Sequence, residues 1–328
     1  MVTVRSVLSL AAKEHWHVHQ MDVSNAFLQG DLLDEVYMVL PFGFKHPKGF
    51  SVQGEKPVCR LTKSLYGLKQ APRQWNAKLT EVLVKLGFVQ RHLDYSLFIK
   101  KSSTSLVILL VYVDDLMITG SDINLIQQTK STLQENFKMK DLGNLRYFLG
   151  IEFSRSEDGI VMHQRKYSLE IISEAGLSAA KPAATPLDPY VQLTTKEYDE
   201  INGTNKDDKL LTEPTVYRRL VGKLLYLNVT RPDIAFATQT LSQFLHQPKQ
   251  SHLNAALKVV RYIKRQVGLG VLLSSAKSKE RQIYCDSDWG SCLHTMRSVT
   301  GFMVKLGGSL ISWKSMKQAT TPEVWQVQ

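Results

Sequence analysis

The chain has 328 residues, a length that fits two or three domains at about 100–200 residues each. At 43% apolar and 22% charged it can bury real cores, which excludes a disordered tail, a collagen-like fibre and a disulfide miniprotein. Its 41 Lys and Arg against 30 Asp and Glu leave a formal charge of +11 and a pI of about 9.4, a balance that fits a polyanionic partner, nucleic acid first.

The longest apolar run, Leu106–Val113, is far short of the roughly 20 residues a membrane helix needs. The stretch ahead of Val18 has no small-residue cleavage site. Cys59, Cys285 and Cys292 are an odd set with no metal-ligand spacing. These features predict reduced thiols in a cytoplasmic or nuclear protein.

In chain order, His15–Met21 reads as a strand with Trp16 and Val18 on one face. His15, His17 and His19 share the other face. No fourth ligand at zinc spacing accompanies them, so they are read as strand surface. Pro72–Leu86 reads as a helix: Pro72 suits its first turn, Trp75, Leu79, Val82, Leu83 and Leu86 form its apolar stripe, and Gly87 ends it. Ser105–Val113 and Leu116–Thr119 read as buried strands around an Asp114–Asp115 turn. Ile123–Phe137 reads as a helix, and Ile151–Phe153 with Gly159–Met162 as a hairpin. The proline- and threonine-rich stretch 178–215 reads as a mobile connection. Helical spacing returns over Tyr217–Asn228, Asp233–Leu245 and His252–Gln266. Strand patterns follow at Gly270–Ser274, Arg281–Cys285, Val299–Leu306 and Ser309–Trp313.

The acidic residues carry the chemistry. Asp22 stands where a strand ends, and Asp114 and Asp115 stand at the tip between two apolar strands. Two carboxylates about 4 Å apart repel by roughly 4 kcal/mol at an effective dielectric near 20. A divalent cation removes that repulsion, and carboxylates from two strands can hold two Mg²⁺. An Asp pair is also ordinary turn chemistry, so the pair alone decides nothing.

The wider set of motifs does. The run Gln20–Asp31, the run Cys59–Trp75, the tetrad Tyr112-Val113-Asp114-Asp115 and the run Tyr147–Ile151 follow one another along the chain. Tyr217–Gly222 with Thr230–Ile234, then Tyr284–Trp289 and Gly307–Lys314, come after them. In order and spacing the chain resembles the reverse transcriptase of copia-type LTR retrotransposon Pol polyproteins along nearly its whole length. The resemblance implies an α+β fold. A right-hand polymerase palm, an antiparallel sheet packed on helices, comes first. A helical thumb or connection and an incomplete ribonuclease H-like α/β domain follow it. The implied division is 1–175 for the palm and start of the thumb, 176–216 for a linker, 217–268 for a helical connection and 269–328 for the partial ribonuclease H-like domain.

The resemblance also implies roles. Asp22, Asp114 and Asp115 hold two Mg²⁺ ions, and the Val23 carbonyl is a neutral ligand. Phe27 lies under the nucleotide sugar. Gln70 is near the incoming base pair, Lys69 and Arg73 contact phosphates, and Tyr147, Phe148, Leu149 and Gly150 form the primer grip. The implied substrates are an RNA or DNA template-primer and deoxynucleoside triphosphates. Few residues precede Asp22, so the basic fingers segment of that family is expected to be largely missing, and the run Val39–Phe44 is less polar than the family's. The ribonuclease H resemblance is carried by Asp286, with Asp288 as runner-up. Glu323 follows a proline and takes no role, so ribonuclease H activity is expected to be lost. The rival readings are an inactive remnant that still binds nucleic acid, or a decayed retroelement copy. The basic helix His252–Gln266, with Lys258, Arg261, Lys264 and Arg265, reads as a solvated face or a surface for a duplex backbone.

Overall fold

The computed structural model describes residues 1–44, 57–188, 190–278 and 280–320; Glu323 lies outside them. The architecture is mixed α/β with antiparallel sheets, in two compact units: Trp16–Leu145, and Met1–His15 together with the chain from Arg146 onward. The first helix, α1 (Val2–Lys13), belongs to the second of these.

The unit Trp16–Leu145 is built on a sheet of β1 (Val18–Val23), β4 (Val89–Arg91), β5 (Asp94–Lys101), β6 (Leu106–Tyr112), β7 (Asp115–Gly120) and β8 (Met139–Asn144). The strand order is β4-β5-β6-β7-β1-β8. Two short strands, β2 (Tyr37–Val39) and β3 (Val58–Arg60), pair separately. The helices are α2 (Ala26–Gln29), α3 (Ala71–Lys85) and α4 (Ile123–Asn136). In β6 and β7 the apolar run leaves both faces of the strands buried. Met21, Val23, Leu109, Val111, Leu116 and Ile118 face a core closed by Trp75, Leu79 and Leu83 of α3 and Ile126 and Leu133 of α4. Proline in the first turn starts α3, and the Asp122 carboxylate caps α4 by accepting from the Asn124 and Leu125 amides.

Two local readings shift. The strand β1 starts at Val18, not His15, because His15 takes a left-handed φ of 55° in the turn after α1. The three histidines therefore do not share one strand. The β6–β7 turn is Val113–Asp114, one residue earlier than expected, since Tyr112 pairs with Asp115.

The other unit carries a four-stranded sheet in the order β12-β11-β10-β9, from β9 (Tyr147–Phe148), β10 (Ile151–Ser156), β11 (Gly159–His163) and β12 (Val271–Ser274). Its helical core gathers apolar residues of α5 (Arg165–Glu174), α7 (Pro214–Leu227), α8 (Ala235–Ser242) and α9 (Gln250–Arg265). The stretch read as mobile is packed. It contains α6 (Lys196–Asn202), and Leu187, Leu193 and Leu211 lie on the helical core. Pro214 starts α7, and the spaced leucines supply apolar surface that holds the stretch down. A three-stranded sheet follows, β13 (Arg281–Ser287), β14 (Val299–Leu306) and β15 (Ser309–Lys317), with β13 at an edge. Arg5 of α1 lies over the Trp313 ring at 3.8 Å and donates to the Val229 and Ile311 carbonyls. No helix among the described residues is long and apolar enough to cross a membrane.

Candidate active site

Register brings the carboxylates together. Asp22, at the end of β1, is the direct antiparallel partner of Asp115, the first residue of β7. Partners across a ladder point to the same face, with Cβ atoms about 4.5–5.5 Å apart. Asp114 precedes Asp115 in the turn, and its carbonyl accepts from the Val23 amide at 2.8 Å. Burial first, then the charges of Asp114 and Asp22, push the Asp115 carboxyl above the usual carboxylate range, while Gln20 pulls it back by a hydrogen bond. Like charges this close disfavour one another's ionised form.

The tip that presents them is strained. Val113 has φ of 58°, whereas Asp114 does not enter the left-handed region. A two-residue hairpin turn of that pattern takes glycine first, so a β-branched residue there is held against its preference. The restraint is visible: the buried Trp75 donates its Nε1–H to the Val113 carbonyl at 2.7 Å.

Around the acids, Phe27 sits in α2, half-buried against the core, with its ring 4.5 Å from that of Tyr66. Gln70 is the N-cap of α3, and Lys69 and Arg73 beside it are exposed. Gln29 fastens the loop after Val23 by donating to the Ser24 carbonyl and accepting from the Lys138 amide, each at 2.8 Å. On the other side of β1, Lys140 of β8 pairs directly with Asp22 and is exposed. Gln20, Tyr66 and Lys140 were missed by sequence reasoning. Gln20 and Tyr66 fall inside the quoted motifs, but Lys140 has no signal short of the register itself.

Oxygen donors of this kind suit a hard cation such as Mg²⁺. The fit is partial: among the described residues no three His, Cys, Asp or Glu side chains are gathered into a ready metal cluster. Asp22 and Asp115 stand side by side across the ladder, and Asp114 precedes Asp115 in the turn.

The Tyr147–Gly150 segment forms the β9–β10 hairpin in the other unit. Tyr147 is exposed, Phe148 is buried, and Leu149 and Gly150 take φ of 52° and 75° in the turn. Tyr226 of α7 donates to the Leu149 carbonyl at 2.9 Å, and a Cβ on Gly150 would fall 2.0 Å from that hydroxyl. In the three-stranded sheet, Asp286 is exposed on β13. Asp288 is occupied with closing its loop, accepting from the Val299 and Ser291 amides. Asp286 rims an open groove of about 810 Å³ lined by Phe236, Ile283, Phe302 and Trp313. Two of the four basic residues of α9 are engaged by their own chain. Lys258 pairs with Asp188, and Lys264 donates to the carbonyls of Leu177, Ser178 and Ala180.

A family profile described as reverse transcriptase (RNA-dependent DNA polymerase) matches residues 1–189. The chain belongs to this family. It is similar to the retrovirus-related Pol polyprotein from transposon RE1 of Arabidopsis thaliana, 41% identical over 318 residues, 96% of this chain and 20% of that protein. The corresponding polyprotein from transposon TNT 1-94 of Nicotiana tabacum is 36% identical over 323 residues, 97% of this chain and 24% of that one. A putative transposon Ty5-1 protein of Saccharomyces cerevisiae is 30% identical over 302 residues, 90% of this chain and 92% of that protein. This reverse transcriptase family chain thus spans about a fifth of the length of the first Pol polyproteins it matches. The relationship to transposon Pol polyproteins expected from the motifs is shown.

Proposed function

We propose that the chain is the polymerase region of a copia-type retrotransposon Pol polyprotein and acts as an RNA-directed DNA polymerase. The observation that carries this reading is the direct pairing of Asp22 with Asp115 beside a strained Val113–Asp114 tip. In this reading the sheet of Trp16–Leu145 is the palm, and the helices of the other unit are the thumb and connection. The strands β13–β15 begin a ribonuclease H-like domain.

Asp22, Asp114 and Asp115, with the Val23 carbonyl, would hold the metal. Bound Mg²⁺ neutralises these carboxylates and supplies Lewis-acid stabilisation of charge on the reacting phosphate. The chain's own residues do the positioning. Trp75 holds the Val113 carbonyl and so fixes where Asp114 projects. Phe27, backed by Tyr66, presents a flat apolar surface where a sugar carrying a 2′-hydroxyl meets an aromatic edge. Gln70, Lys69 and Arg73 cluster at the start of α3, where exposed cations suit template or triphosphate oxygens. Lys140, beside Asp22, adds a cation next to the proposed metal site. The Tyr147–Gly150 hairpin is the proposed primer grip.

The test is extension of a DNA primer on poly(rA) with Mg²⁺ or Mn²⁺. Extension is expected, with Asp22→Asn and Asp114→Asn each lowering the rate by about 10³-fold or more and Lys140→Ala raising the nucleotide KM. A folded wild-type protein that extends no primer with either metal overturns the catalytic reading. It would favour the second one, a nucleic-acid-binding protein without polymerase activity, for which the charge of +11 speaks.

A further inference from the structure

Outside the polymerase site, the loop between β13 and β14 meets the end of β15 in a small cluster of reactive side chains. Lys317 places its Nζ 2.7 Å from the sulfur of the half-buried Cys292 and also reaches the Gln243 Oε1 at 3.2 Å. His294 turns its Nδ1 toward the same sulfur at 3.9 Å. Its other nitrogen, Nε2, accepts from the Thr195 amide at 3.0 Å, so in the neutral ring the proton is on Nδ1 and faces Cys292. The Tyr198 and Phe244 rings, 5.2 and 6.1 Å away edge-on, hold that imidazole in place. Among the described residues no carboxylate bonds to the sulfur; its neighbours are a cation and N–H or O–H donors. Such surroundings favour the thiolate over the thiol.

We propose that Cys292, with Lys317 and His294, is a thiolate site that peroxide-class oxidants modify. The sulfur attacks one peroxide oxygen, an S–O bond forms as the O–O bond breaks, and the departing hydroxide takes a proton from the Lys317 ammonium and leaves as water. The sulfur gives two electrons to the peroxide and becomes a sulfenic acid. Burial alone would raise the Cys292 thiol, but the Lys317 contact and the Thr295 and His294 donors hold it down at about 6. The exposed Cys285 serves as the internal control.

The experiment uses the full chain, peptide mass spectrometry and two probes. Iodoacetamide capture of Cys292 is expected to rise with a midpoint near pH 6, and Lys317→Met is expected to move that midpoint up by at least about one pH unit. After hydrogen peroxide at pH 7, dimedone should label Cys292 about two- to threefold more than Cys285, the thiolate gain less the nucleophilicity lost with it. A Cys292 midpoint near the ordinary thiol value of about 8.5, or dimedone labelling no greater than at Cys285, overturns the proposal.

Discussion

Val113 stands where a two-residue hairpin ordinarily places glycine, and its neighbours Asp114 and Asp115 carry like charges in a partly desolvated corner. Both features cost stability, and both are of the kind that concentrates at functional sites. Val113→Gly relieves the backbone strain of about 1–3 kcal/mol, less about 0.5–1 kcal/mol for glycine's own entropy. It should therefore melt later than wild type, while primer extension falls as the tip loosens. Asp115→Asn tests the charge. An acid raised in the folded state binds its proton more readily there than in the unfolded chain, so it destabilises the fold increasingly as pH rises from the ordinary carboxylate value to its raised one, and fully above that. A neutral amide at this position removes that penalty: Asp115→Asn should melt later than wild type at pH 7, and the difference should close as pH falls toward 4. Added Mg²⁺ should raise the melting temperature of wild type and leave Asp22→Asn unmoved, by the linkage of a ligand that binds only the native site.

At the scale of elements, the stretch read as mobile is held by a buried network. Lys249, at the start of α9, pairs with Asp199 of α6 and, at 3.0 Å, with Asp208. His252 accepts from the Lys249 amide on Nδ1 and reaches the Thr194 carbonyl with Nε2, each at 3.0 Å, which requires the neutral ring. Burial pushes His252 down to about 4. The unfolded chain takes up a proton between about pH 6.5 and 4 that the folded chain refuses, so stability falls as pH drops through that window, by on the order of 3 kcal/mol at its lower end. His252→Gln should flatten a plot of unfolding free energy against pH over this range, whatever its effect at pH 7. Asp199 acts in a lower window. Burial works to raise it, but Lys249, Thr194, Asn205 and Thr204 hold it at about 2, and its contribution disappears only as pH falls below the ordinary carboxylate range. The sequence showed the prolines here and not the lock, because Lys249 and Asp199 are far apart along the chain and meet only in the fold.

Across the whole molecule, the charge of +11 predicts binding to nucleic acid that weakens steeply with salt. Contact with about five phosphates gives a log–log slope of about −4 to −5. That slope should be the same in Asp114→Asn, which removes chemistry but not the basic surface; binding indifferent to salt would remove this reading. Periodicity and motif spacing were enough to determine the family, the apolar β6–β7 hairpin and the helices α3, α4, α7 and α9, because those signals are local and repeat at the helix or strand period. The tertiary structure alone decided that Asp22 lies opposite Asp115 with Lys140 on its far side, and that Tyr66 backs Phe27. It also decided that Lys258 and Lys264 of α9 are engaged by their own chain and that Cys292 meets Lys317. Each of these depends on which distant strand or loop becomes a neighbour, and at what register. A side-chain period states which face a residue occupies, but it carries no record of what will stand across from it.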